Sequence, residues 1–245
     1  MSPRELFQAG KLNEAVQALS VELREHPTDT WRRTFLFELL CFTGDFERAR
    51  KHLELLARES QNAGMGALLL EALMNSERTR NEVFEKKEFP QAPSPAVPIR
   101  GTLNGQRFED FRDADPRIGP RLEIYSAGAY LWIPLQHVER IEAQAPKRLR
   151  DQFWARVIVQ TGPAFKQAEL GECYTPVLYP FTFKHPDDRV RLGRMTVWEV
   201  EDGQEIPYGQ KMFLVDGEEF PLLEIRTLEF DPPPAQASEE PAAHP

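Results

Sequence analysis

Four positions in the first sixty residues recur at a fixed distance. Gly10 and Gly44, Leu12 and Phe46, Ala15 and Ala49, and Leu19 and Leu53 are each separated by 34 residues. Internal echoes of about 20–50 residues mark chains that stack one supersecondary unit on the next, because no single unit can bury its apolar face alone. This constrains the N-terminal part to paired helices joined by tight turns, and it places binding before catalysis as the first function to expect.

A spacing of 34 is the period of the tetratricopeptide repeat, whose stacked helical hairpins leave a groove for partner peptides. The punctuation agrees. Leu6, Phe7 and Ala9 end a short first helix, Gly10 permits the turn, and Leu12, Ala15, Val16 and Leu19 follow with helical spacing until Pro27. The second hairpin starts near Thr28 to Trp31, runs through Phe35, Leu36, Leu39 and Leu40, turns at Gly44-Asp45, and continues through Phe46, Ala49, Leu53 and Leu56. Ala15 and Ala49 occupy the small position where paired helices approach closely. A third, atypical pair is expected as a cap, with one helix around Gly66 to Met74 and another around Glu77 to Glu88.

Prolines 90, 93, 95 and 98 then exclude a helix, so the sequence divides into a TPR-like helical domain over 1–89, a Pro-rich linker over 90–98 and a further domain over 99–230. In that last part the period shortens towards 2. Asn104-Gly105 sits between extended arms as a hairpin turn, and Leu122–Tyr125, Tyr130–Ile133, Val157–Val159, Met195–Val200, Met212–Val215 and Leu222–Phe230 read as strands. The expected fold class is therefore multidomain α and β: an α-solenoid followed by a β-rich domain, an antiparallel sheet or partly closed barrel, with one short helix near Lys147 to Trp154. Residues 231–245 carry no large apolar side chain and are expected to be disordered.

The formal charge of −9 argues against duplex nucleic acid, which needs a basic face. The longest apolar runs, Met65–Leu70 and Ala127–Pro134, fall far short of the ~20 residues of a membrane span, and the first residues have no signal-peptide pattern, so a cytoplasmic location is expected. The two cysteines, Cys41 and Cys173, read as reduced structural thiols.

Chemistry is sparse. None of the five histidines lies in a metal-ligand spacing, no phosphate-binding glycine loop or nucleophile elbow occurs, and neither metal nor cofactor is expected. His185-Pro186-Asp187-Asp188 is the most enzyme-like cluster, since adjacent carboxylates can orient a histidine. The same residues also make a turn whose aspartates bond nearby amides, and that reading is preferred. Lys147, Arg148, Arg150 and Arg156, with Phe153 and Trp154 between them, read as an amphipathic helix with its aromatics inward, and as a secondary basic patch able to meet an acidic protein. Trp31, Arg32, Arg33 and Phe35 are the candidate partner-binding residues of the repeat, the arginines more than the aromatics.

Several motifs together resemble one family. They are Ala9-Gly10-Lys11-Leu12-Asn13-Glu14-Ala15-Val16, Glu25-His26-Pro27, Gly44 to Ala49, Tyr130 to Pro134, Pro146 to Trp154, Pro176 to Pro180, Leu192-Gly193-Arg194 and Phe213 to Glu224. The chain is similar over residues 4 to 230 to the ImpE/TagJ (SciE-type) accessory proteins of bacterial type VI secretion systems. The resemblance implies an adaptor without catalytic activity. Its partner would be the N-terminal helix of the small sheath subunit (TssB/VipA type), with a link to sheath recycling by the ClpV ATPase. The alternatives are a hydrolase using His185 and Asp187 or Asp188, and a general scaffold docking through the basic segment.

Overall fold

The computed structural model describes residues 1–90, 98–162, 165 and 170–232, so the stretch 91–97 and the tail from 233 onward lie outside the described residues. Four helices form two antiparallel hairpins: α1 (Pro3–Gln8) with α2 (Leu12–Glu25), and α3 (Thr30–Phe42) with α4 (Phe46–Ala57). Each start has a chemical cause. Ser2 and Glu5 cap α1 reciprocally, and the carboxylates of Asp29 and Asp45 accept the Arg32 and Arg48 amides at the starts of α3 and α4. Ala15 and Ala49 are fully buried at the helix crossings.

The expected third pair is a single helix. α5 (Gln61–Lys86) runs without a break for 26 residues, from the Ser60 cap to a left-handed Lys87. No proline interrupts it, and the polar residues at its middle do not break it. The hydroxyls of Ser76 and Thr79 donate to the carbonyls of Ala72 and Asn75 four residues back, which satisfies them inside the helix.

The remaining elements are β1 (Gly101–Leu103), β2 (Gln106–Phe108), β3 (Phe111–Asp113), β4 (Arg121–Ser126), β5 (Ala129–Pro134), β6 (Val138–Ala143), β7 (Trp154–Thr161), β8 (Gly171–Pro176), the short α6 (Asp188–Arg191), β9 (Val197–Glu201), β10 (Gln204–Tyr208), β11 (Met212–Val215), β12 (Glu218–Pro221) and β13 (Thr227–Phe230). Eight strands form an antiparallel sheet in the order β2-β1-β13-β6-β7-β8-β4-β5; β12-β11-β3 and β10-β9 form smaller ones. The large sheet ends at β2 and β5 and is open, not a barrel. Asn104-Gly105 makes the expected two-residue hairpin, both residues at positive φ. The expected strand over 222–230 begins instead with a 3-10 turn, Leu222–Glu224.

Helices and sheet share one apolar core. Phe153, before β7, packs edge-on against Phe42 at 5.1 Å, and Phe84 of α5 lies 5.7 Å from Trp132 of β5. The segment 181–194 runs along the turns of both hairpins. A Cβ placed on Gly44, whose φ is +72°, would stand 2.4 Å from the Phe183 ring. At the first turn, Arg194 donates to the Phe7 and Gln8 carbonyls at 2.8 and 2.9 Å, and Asp188 accepts the Asn13 amide at 3.1 Å. The two glycines of the 34-residue echo are thus two of the places where the sheet half reaches the repeat.

Candidate functional site

Covering the turns of the repeat leaves one side of α3, α4 and α5 open. A cleft of about 650 Å³ lies between the N-terminal parts of α3 and α5, the C-terminal part of α4, and residues 144–156 of the sheet half. Its apolar lining comes from Phe37, Leu53, Leu56, Leu70, Leu73 and Trp154. Thr30 and Glu59, joined by a 2.8 Å hydrogen bond, mark its helical rim.

The opposite rim carries Lys147, Arg148 and Arg150. The helix expected there is only one 3-10 turn, Leu149–Gln152, because Trp154 already belongs to β7. The Asp151 carboxylate accepts the amides of Lys147 and Arg148 at 2.8 and 2.9 Å and so fixes the turn. The aromatics point inward as expected, Phe153 and Trp154 both being buried. Arg150 sits 3.6 Å from Glu38, whose carboxyl burial pushes up to about 7 against the pull of that guanidinium. Arg156 pairs with Glu172. Among the described residues, Lys147 and Arg148 make no ion pair.

On the outer edge of the repeat the four candidates divide. Trp31 is 60 % exposed and lies 5.5 Å from Phe35, which in turn meets Phe7. Arg32 is held by Glu22 and Asp29, and Arg33 donates to the Pro27 carbonyl. Both guanidiniums are therefore engaged within the chain, while the indole is the group left facing solvent.

The His185 cluster is built as a turn. His185 accepts the Asp187 amide at 3.0 Å, and Asp187 accepts from the Arg189 amide and guanidinium, which hold its carboxyl down to about 2. Asp188 serves Asn13 and Arg191. Among the described residues no group of three or more His, Cys, Asp or Glu is placed to hold a metal ion. Burial raises the thiols of Cys41 and Cys173, which disfavours the thiolate a nucleophile needs.

Reasoning from residues alone missed a buried ionic network at the seam. Arg80 of α5 reaches Glu123 of β4 with two hydrogen bonds of 2.8 and 3.0 Å, and also Glu77 at 3.2 Å. Lys211 bridges Glu123 at 2.6 Å and Asp113 at 2.5 Å. Tyr125 donates to Glu77, and Tyr130 to Glu123 at 2.5 Å. Burial alone would raise the Glu123 carboxyl, but Arg80 and Lys211 outweigh it and hold the group ionised. At Asp113 burial wins over Lys211 and lifts the carboxyl to about 7.

The fold and its seam define a helical-repeat protein fused to an open antiparallel sheet. A tetratricopeptide repeat model matches residues 6–73, and the ImpE protein model matches residues 105–229. The chain belongs to the ImpE family. It is 30 % identical to the type VI secretion system accessory component TagJ of Pseudomonas aeruginosa, over 95 % of this chain and 92 % of that protein. The crystal structure of protein VPA1032 from Vibrio parahaemolyticus has the same fold, with a TM-score of 0.81 at 22 % identity over 94 % of this chain and 97 % of that one. Among the described residues no helix is long and apolar enough to cross a membrane.

Proposed function

We propose that this protein is a non-catalytic accessory component of a type VI secretion system. It acts in the cytoplasm, binds the N-terminal helix of the small sheath subunit (TssB/VipA type), and is linked through that contact to sheath recycling by ClpV. The observation that carries this reading is the open, partly apolar cleft beside the helical repeat, in a chain whose relative over 95 % of its length is a type VI secretion accessory component. Helical grooves take partner helices through apolar side chains at i, i+3, i+4 and i+7.

The exposed Trp31 ring, backed by Phe35, is an outer contact for the same partner, and Arg32 and Arg33 hold that edge in place. The test is affinity purification of the full chain from cells that express the sheath. Recovery of the small sheath subunit, lost when the subunit's N-terminal helix is deleted, is the expected result. Purification without any sheath subunit contradicts the proposal.

A further inference from the structure

We infer that the seam cleft is the seat of the partner segment, and that its occupant is an amphipathic helix carrying carboxylates on the flank that faces Lys147 and Arg148. This deepens the adaptor reading above and rests on it.

Two observations converge. The first is charge. In a chain of net charge −9, the rim of the cleft presents Lys147 and Arg148, both exposed and both without an ion-pair partner among the described residues. The neighbouring cations are already satisfied, Arg150 by Glu38 and Arg156 by Glu172. Two cations without an ion-pair partner, on the rim of a cleft whose lining is part apolar, favour an acidic partner and raise its rate of encounter.

The second is shape. The cleft has an exposed apolar margin on the α5 side, where Leu69 is 43 % exposed. A pocket with an exposed apolar margin suits a polypeptide, which covers both, better than a compact ligand, which fills only the pocket. Small residues on the α5 wall, Ala63, Gly66 and Ala67, leave room for a helix to lie close; an added Cβ at Gly66 would meet nothing within 4 Å.

The experiment is isothermal titration of the full chain with a synthetic peptide spanning the N-terminal helix of the small sheath subunit from the same organism. Two variants probe the cleft. The double variant Lys147→Glu, Arg148→Glu reverses the rim. Gly66→Phe fills the space from a helix position where an added Cβ meets nothing within 4 Å, and a Tm no lower than the parent's verifies that the fold is kept. Each is expected to weaken binding at least tenfold, and Val200→Asp, on the far β9–β10 hairpin, to leave it unchanged. A peptide with its carboxylates converted to amides should no longer distinguish the rim variant from the parent.

Peptide binding that Trp31→Ala abolishes but both cleft variants leave intact overturns the cleft assignment while the adaptor reading stands. A parent chain that binds no peptide overturns the adaptor reading itself. A parent that sediments as a dimer, with Gly66→Phe a monomer, gives the cleft to a second copy of this chain and likewise overturns the inference.

Discussion

Arg80 on α5 and Glu123 on β4 form a two-pronged ion pair, 2.8 and 3.0 Å, in which both side chains are sealed from solvent. Removing one member of such a pair strands the other in a medium that cannot solvate it. Arg80→Met is expected to cost about 3–5 kcal/mol in urea unfolding. Glu123→Gln should cost a similar amount, because Arg80 and Lys211 both lose a carboxylate. The double variant should cost less than the sum of the two, the mark of a direct interaction.

Two glycines of the helical half should respond oppositely to the same change. Gly44→Ala puts a Cβ at a left-handed turn and into the Phe183 ring, so a loss of about 2 kcal/mol or more is expected. Gly66→Ala adds a Cβ in mid-helix where nothing lies within 4 Å, and should gain roughly 0.5–1 kcal/mol. Paired thermal melts check both signs.

Glu38 makes stability depend on pH in a definite direction. Its carboxyl titrates near 7 in the folded chain against 4.5 when unfolded, because burial disfavours the ionised form. Between those values the native state holds more protons than the unfolded one, so this group's contribution is most favourable below pH 4.5 and is lost as pH rises through 7. Glu38→Gln should be more stable than the parent at pH 8 by up to about 3 kcal/mol and should show little difference near pH 4.5. Urea unfolding at both pH values reads it.

Asp188 caps a helix from 175 residues away in sequence. Lys11, at the start of α2, offers no side-chain acceptor, and the Asp188 carboxylate takes the Asn13 amide instead. Asp188→Ala should cost about 1–3 kcal/mol, combining a lost cap with a stranded, mostly buried Arg191. Retention of partner binding by this variant under stabilising conditions is also expected, since Asp188 does not line the cleft.

What could be read from residues alone followed from local causes. Gly10, Gly44 and the alanines five positions on set the two hairpins, and Asn104-Gly105 set the first turn of the sheet, because a turn declares itself in the residues that make it. The continuity of α5 was hidden because a repeat template predicts a break that Asn75 and Ser76 do not enforce. The 3-10 turn at 149–152 was hidden because helical and extended patterns overlap over so short a stretch. The ionic network was the least legible part. Glu123 lies between Leu122 and Ile124 and reads as the solvated side of an alternating strand, yet β4 is buried on both faces and its partners stand 43 and 88 residues away. The cleft likewise arises from segments 30–37, 53–73 and 144–156, which only the tertiary fold brings together.

Hydrogen exchange of the full chain, with and without the small sheath subunit, tests the central claim most directly. The account predicts slowed exchange in two separated stretches, 61–73 on α5 and 144–156 on the opposite rim, with the β9–β10 hairpin unchanged. Exchange that is the same in both states at those two stretches would contradict it.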